Sequence, residues 1–328
     1  MASLVQLHVD YVTDPEASPD PIGFLLDTLA RPETLLILAA GIAVVVALLV
    51  AWARWRPLED ARLRFVERAA DYRPYVPWMV RLSVGLVLIG AGLSRALFLP
   101  TLTAADWVSL VLTACGFLLL LGFAVRLAAA AGLAIYAVSL ALQPELVMIL
   151  DVAGALVVAA ILGPGAPSLD DLLRAAFPSG PGARAATGGP QTERYDDLVP
   201  LLVRLGLGGA LMASGIVDKL LIYEQALAAV DRYNLTAVVP VAPEVWVVGA
   251  AVIETALGIA LLLGILTRLS AAVGFGVLTM ALFGLPDDPV IAHVGLFGLC
   301  SILVVLGAGR WSIDRLVLAP LGERLRGL

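Results

Sequence analysis

The chain has 328 residues, of which 60% are hydrophobic and 15% charged, with a mean hydropathy of +0.96 and a net charge of −6. Soluble domains run at about a quarter charged and under about half apolar, so an ordinary water-soluble fold is excluded. The acidic balance likewise offers no basic face for nucleic acid.

Repeated apolar runs of about 18 residues or more read as membrane-crossing helices. Residues 1–33 form an acidic, Pro-rich extracytoplasmic tail, in which Val5, Leu7, Val9 and Tyr11 alternate as in a short strand. Pro21 to Ala30 suits a short interfacial helix, and no cleavable leader is expected before the first apolar run. That run, residues 34–53, ends at Trp52, Arg54, Trp55 and Arg56, the aromatic and basic rim of a cytoplasmic interface. Residues 57–72 predict an amphipathic helix on the inner membrane surface, with Leu58, Phe65, Val66 and Ala69 on one face. It completes a segment running from 34 to 76.

Four spans are expected at 77–98, 107–124, 127–143 and 146–163, and four more at 199–219, 244–265, 269–285 and 289–308. Between them, residues 163–197 are rich in Gly and Pro without apolar periodicity, and 172–197 read as a flexible cytoplasmic linker. The loop 220–243 carries Tyr223, Leu227, Val230 and Tyr233 at helical spacing, a helix on the outer interface that could lid a pocket between spans. It also holds the three-residue glycosylation pattern Asn234-Leu235-Thr236. Residues 316–328 close the chain as a basic cytoplasmic tail. Nine spans with the amino terminus outside leave only Arg31, Arg95, Lys219 and Arg232 as basic residues on the outer side, as the positive-inside rule requires.

The two groups of four spans align with each other. PWMVRLSVGLVLIGAG (77–92) lies over PLLVRLGLGGALMASG (200–215), GFAVRL over GILTRL, and LGPG with SLD over LGAG with SID. The fold class expected is therefore an all-α polytopic membrane protein: one amino-terminal span plus two four-helix repeats, at 77–171 and 198–315. An even number of spans per unit makes the repeats parallel.

The copies differ at polar positions. Lys219, the only lysine in the chain, falls on Ala96; Asp218 falls on Arg95, Glu254 on Leu112 and His293 on Asp151. Any site is expected in the second copy. Ionisable groups within spans are costly and by default functional. Glu254, near mid-span, needs a partner, with Arg204 reaching it from the inner side and Lys219 or His293 from the outer side. The bland alternatives are a helix–helix ion pair for Glu254, snorkelling for Lys219, and an interhelical hydrogen bond for His293. Arg81 and Arg204 lie about five residues into their spans, where snorkelling to the inner surface accounts for both. Cys115 and Cys300 read as buried hydrophobes, and two histidines, His8 and His293, supply neither a zinc pattern nor a haem ligand pair. Near-absence of lysine suggests a GC-rich, salt-adapted prokaryote.

These residues resemble the DoxX family of small four-span membrane proteins. The marks are Arg204, Gly208, Gly215 and Lys219 on one helix, then Glu254-T-A-L-Gly258 leading into Gly264-I-L-T-Arg268. Met280 follows, then the closing Gly307, Gly309, Arg310, Trp311, Ser312 and Asp314. The pattern covers 198–315 well and 77–171 in degenerate form. The family is similar to the membrane subunit of an archaeal thiosulfate:quinone oxidoreductase. The resemblance thus implies a quinone-linked redox component, with a non-covalently bound quinone, a redox partner subunit and lipids as its partners. Glu254, Lys219 and His293 would then carry the chemistry, and Asp218, Arg204 and Tyr223 the ligand; no metal ligands are expected. A non-enzymatic scaffold, a small-molecule or lipid carrier, and a purely structural subunit stand as alternatives.

Overall fold

The computed structural model describes residues 18–55, 59–177, 195, 197–285 and 290–318. The segment 1–17 expected to hold a strand, most of the linker and the end of the tail lie outside these residues. The described chain is almost entirely helical. It opens with α1 (Pro21–Ala30), α2 (Pro32–Trp55) and α3 (Glu59–Ala70), then the first half: α4 (Val76–Leu93), α5 (Asp106–Leu121), α6 (Val125–Leu142) and α7 (Leu150–Leu162). A short α8 (Leu169–Ala176) precedes the second half, which consists of α9 (Leu198–Ile216), α10 (Tyr223–Arg232), α11 (Pro243–Leu263), α12 (Thr267–Gly284) and α13 (Val290–Leu306).

Six helical stretches among the described residues are long and apolar enough to cross a membrane: Arg73–Leu93, Val125–Leu142, Pro144–Leu162, Leu198–Leu221, Pro243–Leu263 and Thr267–Gly284. The other three expected spans fall on shorter apolar pieces, Pro32–Val44, Asp106–Leu121 and His293–Leu306. The chain is a multi-pass, all-helical membrane protein.

Two departures from the sequence reading have local causes. Helix α8 forms inside the Gly/Pro-rich linker because Ser168 caps it, its Oγ accepting from the Asp171 amide at 3.2 Å. A small hairpin, β1 (Ala96–Leu97) and β2 (Leu99–Thr103), follows α4, and its turn residue Phe98 has φ 65°. The hairpin buries Phe98 and Leu99, with Phe98 edge-on to Tyr136 at 5.6 Å, and so closes that end of the first half with apolar side chains.

The halves are built alike. In each, the first helix crosses the second closely: a Cβ at Gly85 would sit 3.1 Å from the Gly116 carbonyl, and one at Gly208 would sit 2.8 Å from that of Gly258. Gly122 (φ 69°) ends α5 and Gly264 (φ 67°) ends α11, both left-handed caps that favour glycine. Across the middle, α7 packs on α9 and α13 on α4. Gly154 meets Gly206 in the first of these contacts, and Ser83 meets Gly298 in the second. This exchange of like for like is what an isologous interface looks like. One continuous apolar core, including Leu88, Leu112, Leu156, Leu207 and Leu299, runs through both halves.

Buried arginines close one end of each half. The expected snorkelling does not occur: Arg81 is 0% and Arg204 1% exposed. The Arg204 guanidinium donates to the carbonyls of Ala308 (2.6 Å), Trp311 (2.8 Å) and Leu262 (3.1 Å), and that of Arg81 donates to Pro167. Arg268 donates to the Val304 and Val305 carbonyls at 3.0 and 3.1 Å, at the end of α13. Asp314 accepts from the Leu266 and Thr267 amides at 2.6 and 2.8 Å, seating its charge at the start of α12. Helix ends have unsatisfied carbonyls, and hydrocarbon supplies no donors for them.

Arg204→Met strands three carbonyls at once and is expected to cost roughly 2–5 kcal/mol, read as loss of thermal stability in detergent. Arg204→Lys recovers less than half of that, because an ammonium lacks the planar fork that spans three acceptors.

Candidate functional site

At the end of α9 remote from Arg204 the helix widens. Val217–Leu221 form a π-turn, closed by the Ile222 amide donating to the Val217 carbonyl at 3.0 Å. Single π-turns inside α-helices recur at functional sites because they re-aim side chains. Here the wider turn brings Lys219 over Ser214, five residues earlier, and both Asp218 and Lys219 turn inward, 5% and 7% exposed.

Four side chains meet there. Lys219 Nζ lies 3.0 Å from Glu254 Oε2 and 3.6 Å from Asp218 Oδ2. It donates to Ser214 Oγ at 2.9 Å, while the Ser214 hydroxyl donates to Asp218 Oδ2 at 2.8 Å. The ammonium thus sits between two carboxylates while bonding Ser214, and Ser214 has its one proton committed to Asp218. Two carboxylates against one ammonium leave the ionised cluster with a charge of −2 + 1 = −1. At an effective dielectric constant of 20, a contact of this length contributes about 5 kcal/mol of attraction, against several kcal/mol of desolvation per ion. Removing one partner alone is therefore far more damaging than removing the pair.

Beside the cluster is a cavity of about 20 Å³ lined by Leu211, Ser214, Glu254, Leu257, Gly274, Val277, Leu278 and Ala281, contributed by α9, α11 and α12. That volume holds about one water molecule. Its two polar lining groups, Ser214 and Glu254, belong to the cluster.

The sequence-predicted residues divide. Lys219, Asp218 and Glu254 come together as expected. Arg204 does not join them: fifteen residues before Lys219 on the same helix, it sits roughly 22 Å away along the axis and serves the loops. Tyr223 starts α10 just past the π-turn, but its hydroxyl donates to the Pro19 carbonyl at 2.8 Å and its ring stacks on Phe24 at 3.9 Å. His293 is fully buried on α13, with its ring 6.0 Å from that of Phe297. Ser214 escaped the sequence reading. In the first half the positions corresponding to Lys219, Asp218 and Glu254 are apolar or solvent-facing, whereas Asp151, opposite His293, is buried. Ala96 and Leu112 are buried, and Arg95 turns outward to Asp106 at 3.4 Å. Among the described residues no group of His, Cys, Asp and Glu is arranged to hold a metal ion.

The fold and cluster define a helical membrane protein with one buried ionic centre in its second half. The DoxX family model matches residues 199–293, which hold the whole cluster, so this stretch is a DoxX domain. No curated protein and no solved structure matches the chain.

A double-mutant cycle of Lys219→Met and Glu254→Leu tests the pairing. Each single variant is expected to lose about 3–5 kcal/mol and the double variant clearly less than their sum, a coupling of about 1–3 kcal/mol in unfolding measurements. Additive losses would mean that the pair is not coupled.

Proposed function

We propose that this DoxX protein binds a small lipid-phase molecule through a hydroxyl group, with Glu254 as the acceptor. The carrying observation is that the polar residues lining the cavity are Glu254, a carboxylate, and Ser214, whose hydroxyl proton goes to Asp218, so the groups facing the cavity accept hydrogen bonds. The net charge of −1 favours the same partner, or a proton.

For a quinone-linked role this favours one redox form. An oxidised quinone presents only acceptors and does not match the lining; the hydroxyl-bearing reduced form does. Neither ring fits a cavity of about 20 Å³, so binding requires α11 and α12 to part. The redox reading accordingly rests on the family resemblance, and the geometry supports hydroxyl recognition, which a carrier of hydroxylated lipids would equally use.

The like-for-like contacts of the two halves support a duplicated four-helix unit in which the second copy kept the ionic centre and the first exchanged it for apolar packing. Arginine distribution supports an orientation with the Lys219 end outside. A cysteine introduced between residues 180 and 190 is then protected from impermeant thiol reagents in intact cells, and labelling from outside would reverse the orientation.

Binding is tested in nanodiscs with a short-chain hydroquinone, its oxidised quinone and a redox-inert long-chain phenol. The expected order places both hydroxyl compounds at least about tenfold tighter than the quinone, which is about 1.4 kcal/mol. Glu254→Gln, which adds an N–H donor, narrows that gap. Equal affinity for all three, or no saturable binding of any, would sink the reading.

A further inference from the structure

We infer that the ligand reaches Glu254 from within the bilayer, between α11 and α12, because residues 18–31 and α10 seal the Lys219 end against water. The inference rests on the cluster being the ligand site, and it narrows the ligand to molecules that partition into lipid.

The seal is built from specific contacts. The Ser18 amide donates to the Leu221 carbonyl at 2.9 Å, pairing the strap with the π-turn that carries Asp218 and Lys219. Ser18 Oγ accepts from the Glu224 amide at 3.0 Å, so it caps the start of α10 in place of a residue from that helix's own flank. Tyr223 binds the strap at both its ends, through the Pro19 carbonyl and the Phe24 ring. Further along, Arg31 pairs with Glu244 at the start of α11 at 3.0 Å. Beneath these, Ala226, Val230 and Val247 form a small apolar cluster, with Phe24, Leu227 and Trp246 packed around it. Buried Ser18 and Thr28, 7% and 1% exposed, mark the strap as docked rather than draped. Among the described residues the corresponding end of the first half is occupied by apolar Phe98 and Leu99.

The remaining approach is lateral. Of the three ionic side chains, Lys219 and Asp218 are 9% and 7% exposed, while Glu254 reaches 19%. Glu254 sits on α11 among Val252, Ile253 and Ile259, which point outward from the bundle, as do Val273, Phe275 and Met280 of α12. These two helices flank the cavity, and those outward-facing side chains are apolar. An aqueous ion would cross hydrocarbon to reach it, whereas a hydroxyl head on an apolar tail would move along its own solvent.

Two reagents with different phase preferences test this on the full chain in nanodiscs. Lys219 is the only lysine, so an impermeant sulfonated amine ester read on the Lys219 peptide reports water at the sealed end. Wild type is expected to stay unmodified, and Phe24→Ala with Arg31→Ala, or independently Ser18→Ala, to label at least about tenfold faster while keeping a cooperative unfolding transition. Labelling of wild type at the variants' rate overturns the seal, as does protection that survives in both variants. For the lateral route, a lipid-soluble carbodiimide is expected to modify Glu254 and a water-soluble one not, with Gly274→Leu blocking the first. Equal modification by both, or none by the lipid-soluble reagent, overturns it. If the labelling pattern holds but no hydroxyl compound binds, the ligand reading fails and the seal stands; if binding holds and wild-type Lys219 labels from water, the reverse is true.

Discussion

Hydrocarbon supplies no hydrogen bonds, and the fold is arranged around that deficit at its helix ends. Wherever α5, α7, α11 or α13 stops within the bundle, the capping residue that follows satisfies only some of its last carbonyls, and lipid provides no donors for the rest. Arg204 and Arg268 meet part of this need with multiple bonds to backbone oxygens, and in the first half Arg81 bonds the Pro167 carbonyl of the loop before α8. Because these donors are buried charges, each is tolerable only while its acceptors are in place. The loops and the arginines therefore fix each other, and the helices they join inherit a defined spacing.

That rigidity is what allows an ionic cluster at the opposite end. A lysine with two carboxylates and a serine within 3.6 Å of its ammonium is stable in a dry setting only if the helices hold position. α9 and the π-turn that continues it contribute three of the four groups, and the small residues of α9 let α11 approach closely enough to deliver the fourth. The contrast between the halves follows: with the same close crossing in α4 and α5 but Ala96 and Leu112 at the corresponding positions, the first half closes on itself as plain packing.

Much of this was legible in the sequence. The apolar runs placed the helices, the positional match of the halves picked out Lys219, Asp218 and Glu254, and their depth required a partner. What failed were readings that depend on contacts far apart in the chain. Arg204 looked like a snorkelling residue because sequence gives depth but not the loop that folds back over it. Ser214 was hidden by periodicity: five residues from Lys219, it would lie about 140° away around a regular α-helix, and only the π-turn brings the two together. Helix α8 was masked by the Gly and Pro around it, and the strap had no composition of its own to announce what it covers.

The cap that Ser18 places on α10 spans 206 residues. A chain synthesised from its amino end makes the strap long before α9, yet the surface that receives it exists only after the π-turn and α10 have been made and the second half has closed. Contacts of such separation form late because a long loop must be closed before they return anything. A segment made before the surface that receives it is thus seated only after that surface exists, and its docking reports that what lies between has been assembled.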